Sequence, residues 1–114
     1  MTKATDTFRT SPYLHNCAQA VAFKYRDALG SDEKQVLARF ANCGAGRAEG
    51  GVCGALYAAL AVRPDAADEV TRRFKEKTQG YTTCLEIKRL SGVPCPVCVQ
   101  AADDILASLS GETE

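Results

Sequence analysis

Six cysteines in 114 residues, Cys17, Cys43, Cys53, Cys84, Cys95 and Cys98, have the most chemistry to offer in this chain. A thiolate binds soft metals and attacks disulfides. A helix N-terminus favours it, drawing a cysteine from a pKa of about 8.5 toward roughly 3.5–7.5. Cys53 lies where the segment Asn42–Leu60, N-C-G-A-G-R-A-E-G-G-V-C-G-A-L-Y-A-A-L, turns from a Gly/Ala run into an apolar helical pattern. The free N–H groups of that first turn face it. Cys84 follows Thr83 in T-C-L-E, a capping box that puts it at the first helical position. Cys95 precedes Pro96, which suits a helix start. Cys17 falls inside the first predicted helix, on its inward stripe. Apolar packing alone gives no reason for three cysteines to collect at three helix starts, so a functional cluster is expected. A phosphate loop is the competing reading of the glycines, but G-x-x-x-x-G-K-[S/T] is absent and no strand-like run precedes them.

The elements that must position these thiols read as helices. Ser11-Pro12 signals a start, with Leu14, Cys17, Val21, Tyr25, Ala28 and Leu29 recurring at helical spacing. His15 points away from that stripe and reads as a surface or boundary residue. Gly30 ends the helix, and Ser31 caps a second one that buries Val36, Leu37 and Phe40. A third starts near Cys53, buries Leu56, Tyr57 and Leu60, and stops before Pro64. Asp65 caps a fourth with Val70 and Phe74 inward, ended by Gly80. A short helix from Cys84 breaks at Ser91-Gly92, and the last opens at Cys95-Pro96 with Ala101, Ala102, Ile105 and Leu109 on its stripe. The expected fold is all-α, a small bundle of five or six helices with a Gly-rich loop. One cysteine-cluster domain is expected over 11–109, between a flexible 1–10 and a flexible tail 110–114.

Composition narrows the function. With 46% hydrophobic residues and net charge zero, the chain reads as globular and gives no reason to expect nucleic acid or an anionic membrane as partner. Arg63, Arg72, Arg73, Lys75 and Lys77 crowd one region, but Asp65, Asp68, Glu69 and Glu76 interleave with them, as on a solvated helix face. The apolar run Val52–Val62 is too short to cross a bilayer, which takes roughly 20 residues. Met1–Arg9 lacks the apolar core of a secretory signal. A cytoplasmic protein is therefore expected, where structural disulfides are rare and cysteines point to metal, cluster or redox chemistry.

Three chemistries suit the pattern. Cysteine thiolates from Cys17, Cys53, Cys84 and Cys95 would hold a two-iron or four-iron iron–sulfur cluster for electron transfer or sensing. Alternatively Cys95 and Cys98, a C-x-x-C at a helix start, would act as a thiol–disulfide pair, although no βαβ pattern accompanies them. Structural zinc is the third reading, but zinc usually takes two close cysteine pairs and one is present. Cys43 and Cys98 are secondary metal-ligand candidates. A redox partner protein is expected, with room for a homodimer. No Ser/His/Asp or paired-carboxylate site emerges.

The order of these motifs resembles the C-GCAxxG-C-C family of redox-active proteins. The match runs from Cys17 in C-A-Q-A-V, through G-R-A-E-G-G-V-C-G-A-L, to Cys84 in C-L-E-I and Cys95 in C-P-V-C-V. The resemblance implies a small helical protein with redox-active cysteines at those four positions and an iron–sulfur cluster as cofactor. A similar domain accompanies haem in split-Soret cytochromes. Ala58 stands where the family motif has its last glycine, and the segment from Cys84 to Cys95 is shorter than is usual there. Cys43 and Cys98 are additional to the four family positions.

Overall fold

Asn16 sets where the first helix begins. The structure is a computed structural model that describes residues 15–30, 32–41 and 51–109, and in it α1 spans Cys17–Lys24. The Asn16 side chain accepts a hydrogen bond from the Gln19 N–H at 2.7 Å, and the Gln19 side chain accepts one from the Asn16 N–H at 3.0 Å. This reciprocal cap satisfies two donors that a helix start leaves open. The expected start at Ser11-Pro12 lies outside the described residues. Within them, Cys17 is the first residue of α1 and not an interior one.

Tyr25 interrupts the expected long first helix, and α2 follows as Arg26–Leu29, ending on Gly30 at φ 67°. A left-handed φ suits glycine, which has no Cβ to clash there. The next helix, α3 (Glu33–Arg39), is capped by Asp32 with Gln35, in the role the sequence had suggested for Ser31. The Asp32 carboxylate reaches the N–H three residues on, at 2.9 Å. Val36 and Phe40 are buried as expected. Asn16 also donates to the carbonyls of Phe40 and Ala41, at 3.1 Å each, and so ties the start of α1 to the end of α3.

The central helix is α4, Gly54–Val62. Its apolar residues surround it rather than forming one stripe, and a helix of that kind belongs inside. It packs against α1, α7 (Cys95–Leu109) and α5 (Ala67–Lys77). Leu56 is 1% exposed, and Ala55, Ala58 and Ala59 are fully buried. On α1, Ala18, Ala20 and Ala22 are fully buried too. Small side chains on both helices let the backbones approach closely. Ala58 thus fits with its methyl inside the core. Replacing it with leucine should cost about 1–3 kcal/mol through overpacking, read as a lower urea midpoint at unchanged slope. An unchanged midpoint would mean that the α4 surroundings have slack.

Between α4 and α5 the chain makes a 3-10 turn, Pro64–Ala66. Asp65 does not cap α5. Its carboxylate takes two hydrogen bonds from the Arg63 guanidinium at 3.0 Å each, which holds the carboxyl below its ordinary range. The charged residues of α5 form a solvated face, as expected. Glu69 pairs with Arg72 at 2.6 Å and also with Arg73, and Arg72 reaches Glu76 at 3.2 Å. Val70 and Phe74 form its buried side.

The short α6, Cys84–Glu86, runs into a π-helical turn, Ile87–Ser91, that stops on Gly92 at φ 73°. Ile87 anchors this segment in the core, 2% exposed. The last helix, α7, spans Cys95–Leu109. Among the described residues there are seven α-helical segments and no strand, a small all-α bundle.

Candidate redox site

Cys53 is the N-cap of α4. Its N–H donates to the Thr82 carbonyl at 2.8 Å, beside an isolated antiparallel bridge between Val52 and Thr83. This bridge joins the chain entering α4 to the chain entering α6. Cys84 is the first residue of α6, half-buried, with Thr83 capping it through the Glu86 N–H at 3.3 Å. Cys17 is the first residue of α1, 8% exposed. Cys95 is the first residue of α7, but its side chain lies outside the described ones, as does Cys43. Each of the four expected ligands therefore opens a helix, including Cys17.

Cys98 sits one turn into α7 and is 2% exposed. Its thiol faces that of Cys53 where α4 and α7 pack together. That contact, and then burial, push the Cys53 thiol far above its ordinary range, while the N–H groups of Leu56 and Ala55 pull more weakly the other way. The helix start was expected to favour the Cys53 thiolate. Its pull is present but loses, because a buried sulfur facing another sulfur gains more from keeping its proton. Among the described residues, no three His, Cys, Asp or Glu side chains group together as a metal site.

His15 is buried, 3% exposed, deeper than the surface or boundary place that the spacing suggested. Its ring meets that of Phe23 edge-on, with centroids 5.1 Å apart. Burial lowers its pKa, opposed by the charge of Glu33. The unfolded chain therefore takes up a proton near pH 6.5 while the folded chain does not. Stability is full above that pH and is lost as pH falls toward the folded value. The melting temperature of His15→Gln should accordingly drop less than that of the parent between pH 7.5 and 5.5. Equal slopes would contradict the buried, neutral imidazole.

One polar cluster was missed in the sequence. Asp103 is 2% exposed, and its carboxylate accepts from Tyr25 Oη and Lys24 Nζ at 2.7 Å each. Tyr25 Oη also reaches the Asp103 carbonyl at 3.0 Å. The signal was available: Asp103 lies four residues after Val99 and three before Leu106, on one inward face of α7. Two surface clefts, of about 300 and 280 Å³, lie along α5 and α7 and share Lys77 and Asp104. Neither is lined by Cys17, Cys53, Cys84 or Cys98. Among the described residues, the exposed large apolar side chains Leu85, Leu90 and Val97 all lie in the segment that carries Cys84, Cys95 and Cys98. Among the described residues, no helix is long and apolar enough to cross a membrane.

Comparison with protein families gives a match over residues 15–109 to the family described as "Putative redox-active protein (C_GCAxxG_C_C)". No match was found to a curated protein or to a solved structure.

Proposed function

Because the chain belongs to the C_GCAxxG_C_C redox-active family, we propose that it is a small electron-transfer or redox-sensing protein whose Cys17, Cys53, Cys84 and Cys95 take an iron–sulfur cluster. The observation that carries this reading is that all four open a helix. Helix-start N–H groups can hydrogen-bond cluster sulfurs and so help set the potential. The donor set fits such a cluster in kind, as four soft thiolates. The bridge between Val52 and Thr83 already brings two of the donor segments together. Since no three described donors are grouped beforehand, cluster binding would draw the helix starts together and couple loading to stability. Loading also has to remove the proton that Cys53 holds, so uptake strengthens as pH rises. The cluster would supply one-electron chemistry, with Leu85, Leu90 and Val97 as an exposed apolar surface for a partner protein.

A metal-free thiol–disulfide reading has one observation in its favour, the contact between the Cys53 and Cys98 thiols. It offers Cys53 as a partner for Cys98 beside the Cys95/Cys98 couple that the C-x-x-C spacing suggests. Anaerobic purification with iron, sulfide and zinc analysis decides among the readings. A brown protein with iron and acid-labile sulfide is expected. Colourless protein with neither, after anaerobic reconstitution, would defeat the cluster reading, and stoichiometric zinc would replace it.

A further inference from the structure

We propose that Cys53 and Cys98 are a built-in disulfide pair, closed by a hydroperoxide and reopened by a dithiol, that switches Cys53 off as a ligand. Two observations carry it. The two thiols face each other, on helices that pack directly against each other. Both are buried, at 6% and 2% exposure, within the same apolar core. Burial decides the oxidant. A bulky disulfide reagent cannot approach either sulfur without opening the bundle, whereas a hydroperoxide as small as hydrogen peroxide is close to water in size.

The chemistry balances with that oxidant. The Cys98 sulfur, as thiolate, attacks a peroxide oxygen, the O–O bond breaks, and the departing hydroxide takes the thiol's former proton to leave as water. Cys98 is then a sulfenic acid. The Cys53 sulfur attacks the Cys98 sulfur and expels the hydroxyl, which takes the Cys53 proton and leaves as a second water. Two thiols and one hydrogen peroxide give one disulfide and two waters. The sulfurs lose two electrons, which the peroxide oxygens gain. A dithiol reductant, which reaches the buried bond only when the bundle opens, returns two electrons and two protons.

Cys53 cannot be a ligand while bonded to Cys98. This consequence rests on the cluster reading; the disulfide itself does not. The test uses the full chain, reduced and metal-free, exposed to equimolar hydrogen peroxide, alkylated and digested for peptide mass mapping. The expected main product is a Cys53–Cys98 linked peptide, with an intact mass lower by two hydrogens and restored by dithiothreitol. In Cys53→Ala the link should vanish and Cys98 should instead be captured by a sulfenic acid probe. A main link between any other pair, or separate oxidation of Cys53 and Cys98 without a link, would overturn the proposal. After peroxide removal, the linked protein should take up several-fold less iron and sulfide than the reduced protein. Full uptake with the link intact would overturn the switch. If the reduced chain takes up none, the cluster reading and the switch fall with it, and the peptide map alone decides the disulfide.

Discussion

Asp103→Ala should be the most destabilising single change in the described core, at roughly 3–5 kcal/mol, the cost typical of breaking one side of a buried ion pair. The Asp103 carboxylate is 2% exposed and the Lys24 side chain 11%. Removing the carboxylate takes the ion-pair partner from the ammonium and one acceptor from the Tyr25 hydroxyl, at a site with little water to replace them. The melting temperature should fall by at least about 12 °C, taking some 4 °C per kcal/mol for a domain of this size. Tyr25→Phe removes one hydroxyl from the same cluster and should cost about 1–2 kcal/mol. A double-mutant cycle between Lys24 and Asp103 then isolates their coupling. If Asp103→Ala melted within a degree or two of the parent, the cluster would have no role in holding α1 to α7.

Serine at any one of Cys17, Cys53, Cys84 or Cys95 should abolish the visible absorption of the anaerobically reconstituted protein. A hydroxyl is a harder and far less acidic ligand than a thiol, so it replaces a thiolate poorly on iron. Each variant should also lose the rise in melting temperature that loading gives, because binding energy that links four remote segments is folding energy. In metal-free protein the four variants should stay close to the parent, which separates loss of a ligand from loss of fold. Cys43→Ser and Cys98→Ser should each keep most of the iron. Complete loss of iron in Cys98→Ser, with Cys17→Ser unaffected, would move the site onto the Cys53, Cys95 and Cys98 side of the bundle.

The sequence by itself determined the helical class and most places where helices start and stop. These depend on neighbours a few residues apart: Gly30 and Gly92 at left-handed φ, Thr83 at the cap of α6, the halt before Pro64. It also found three of the four cysteines at helix starts, because caps and prolines are local signals. Where two local signals competed, spacing could not choose. Asp32 took the cap suggested for Ser31, and Asp65 gave its carboxylate to Arg63 instead of capping α5.

What only the tertiary structure decided is what faces what. Cys98 and Cys53 lie 45 positions apart and meet because α4 and α7 pack together. That meeting reverses the effect expected at the α4 start, since desolvation and a second sulfur outweigh a few N–H dipoles. Asp103 finds its partners only when Lys24 and Tyr25 arrive from the other end of the chain. His15 reads as a surface or boundary residue until the fold covers it. Local propensity depends on the residues beside a position. Burial and proton affinity depend on the residues that the bundle brings across from it.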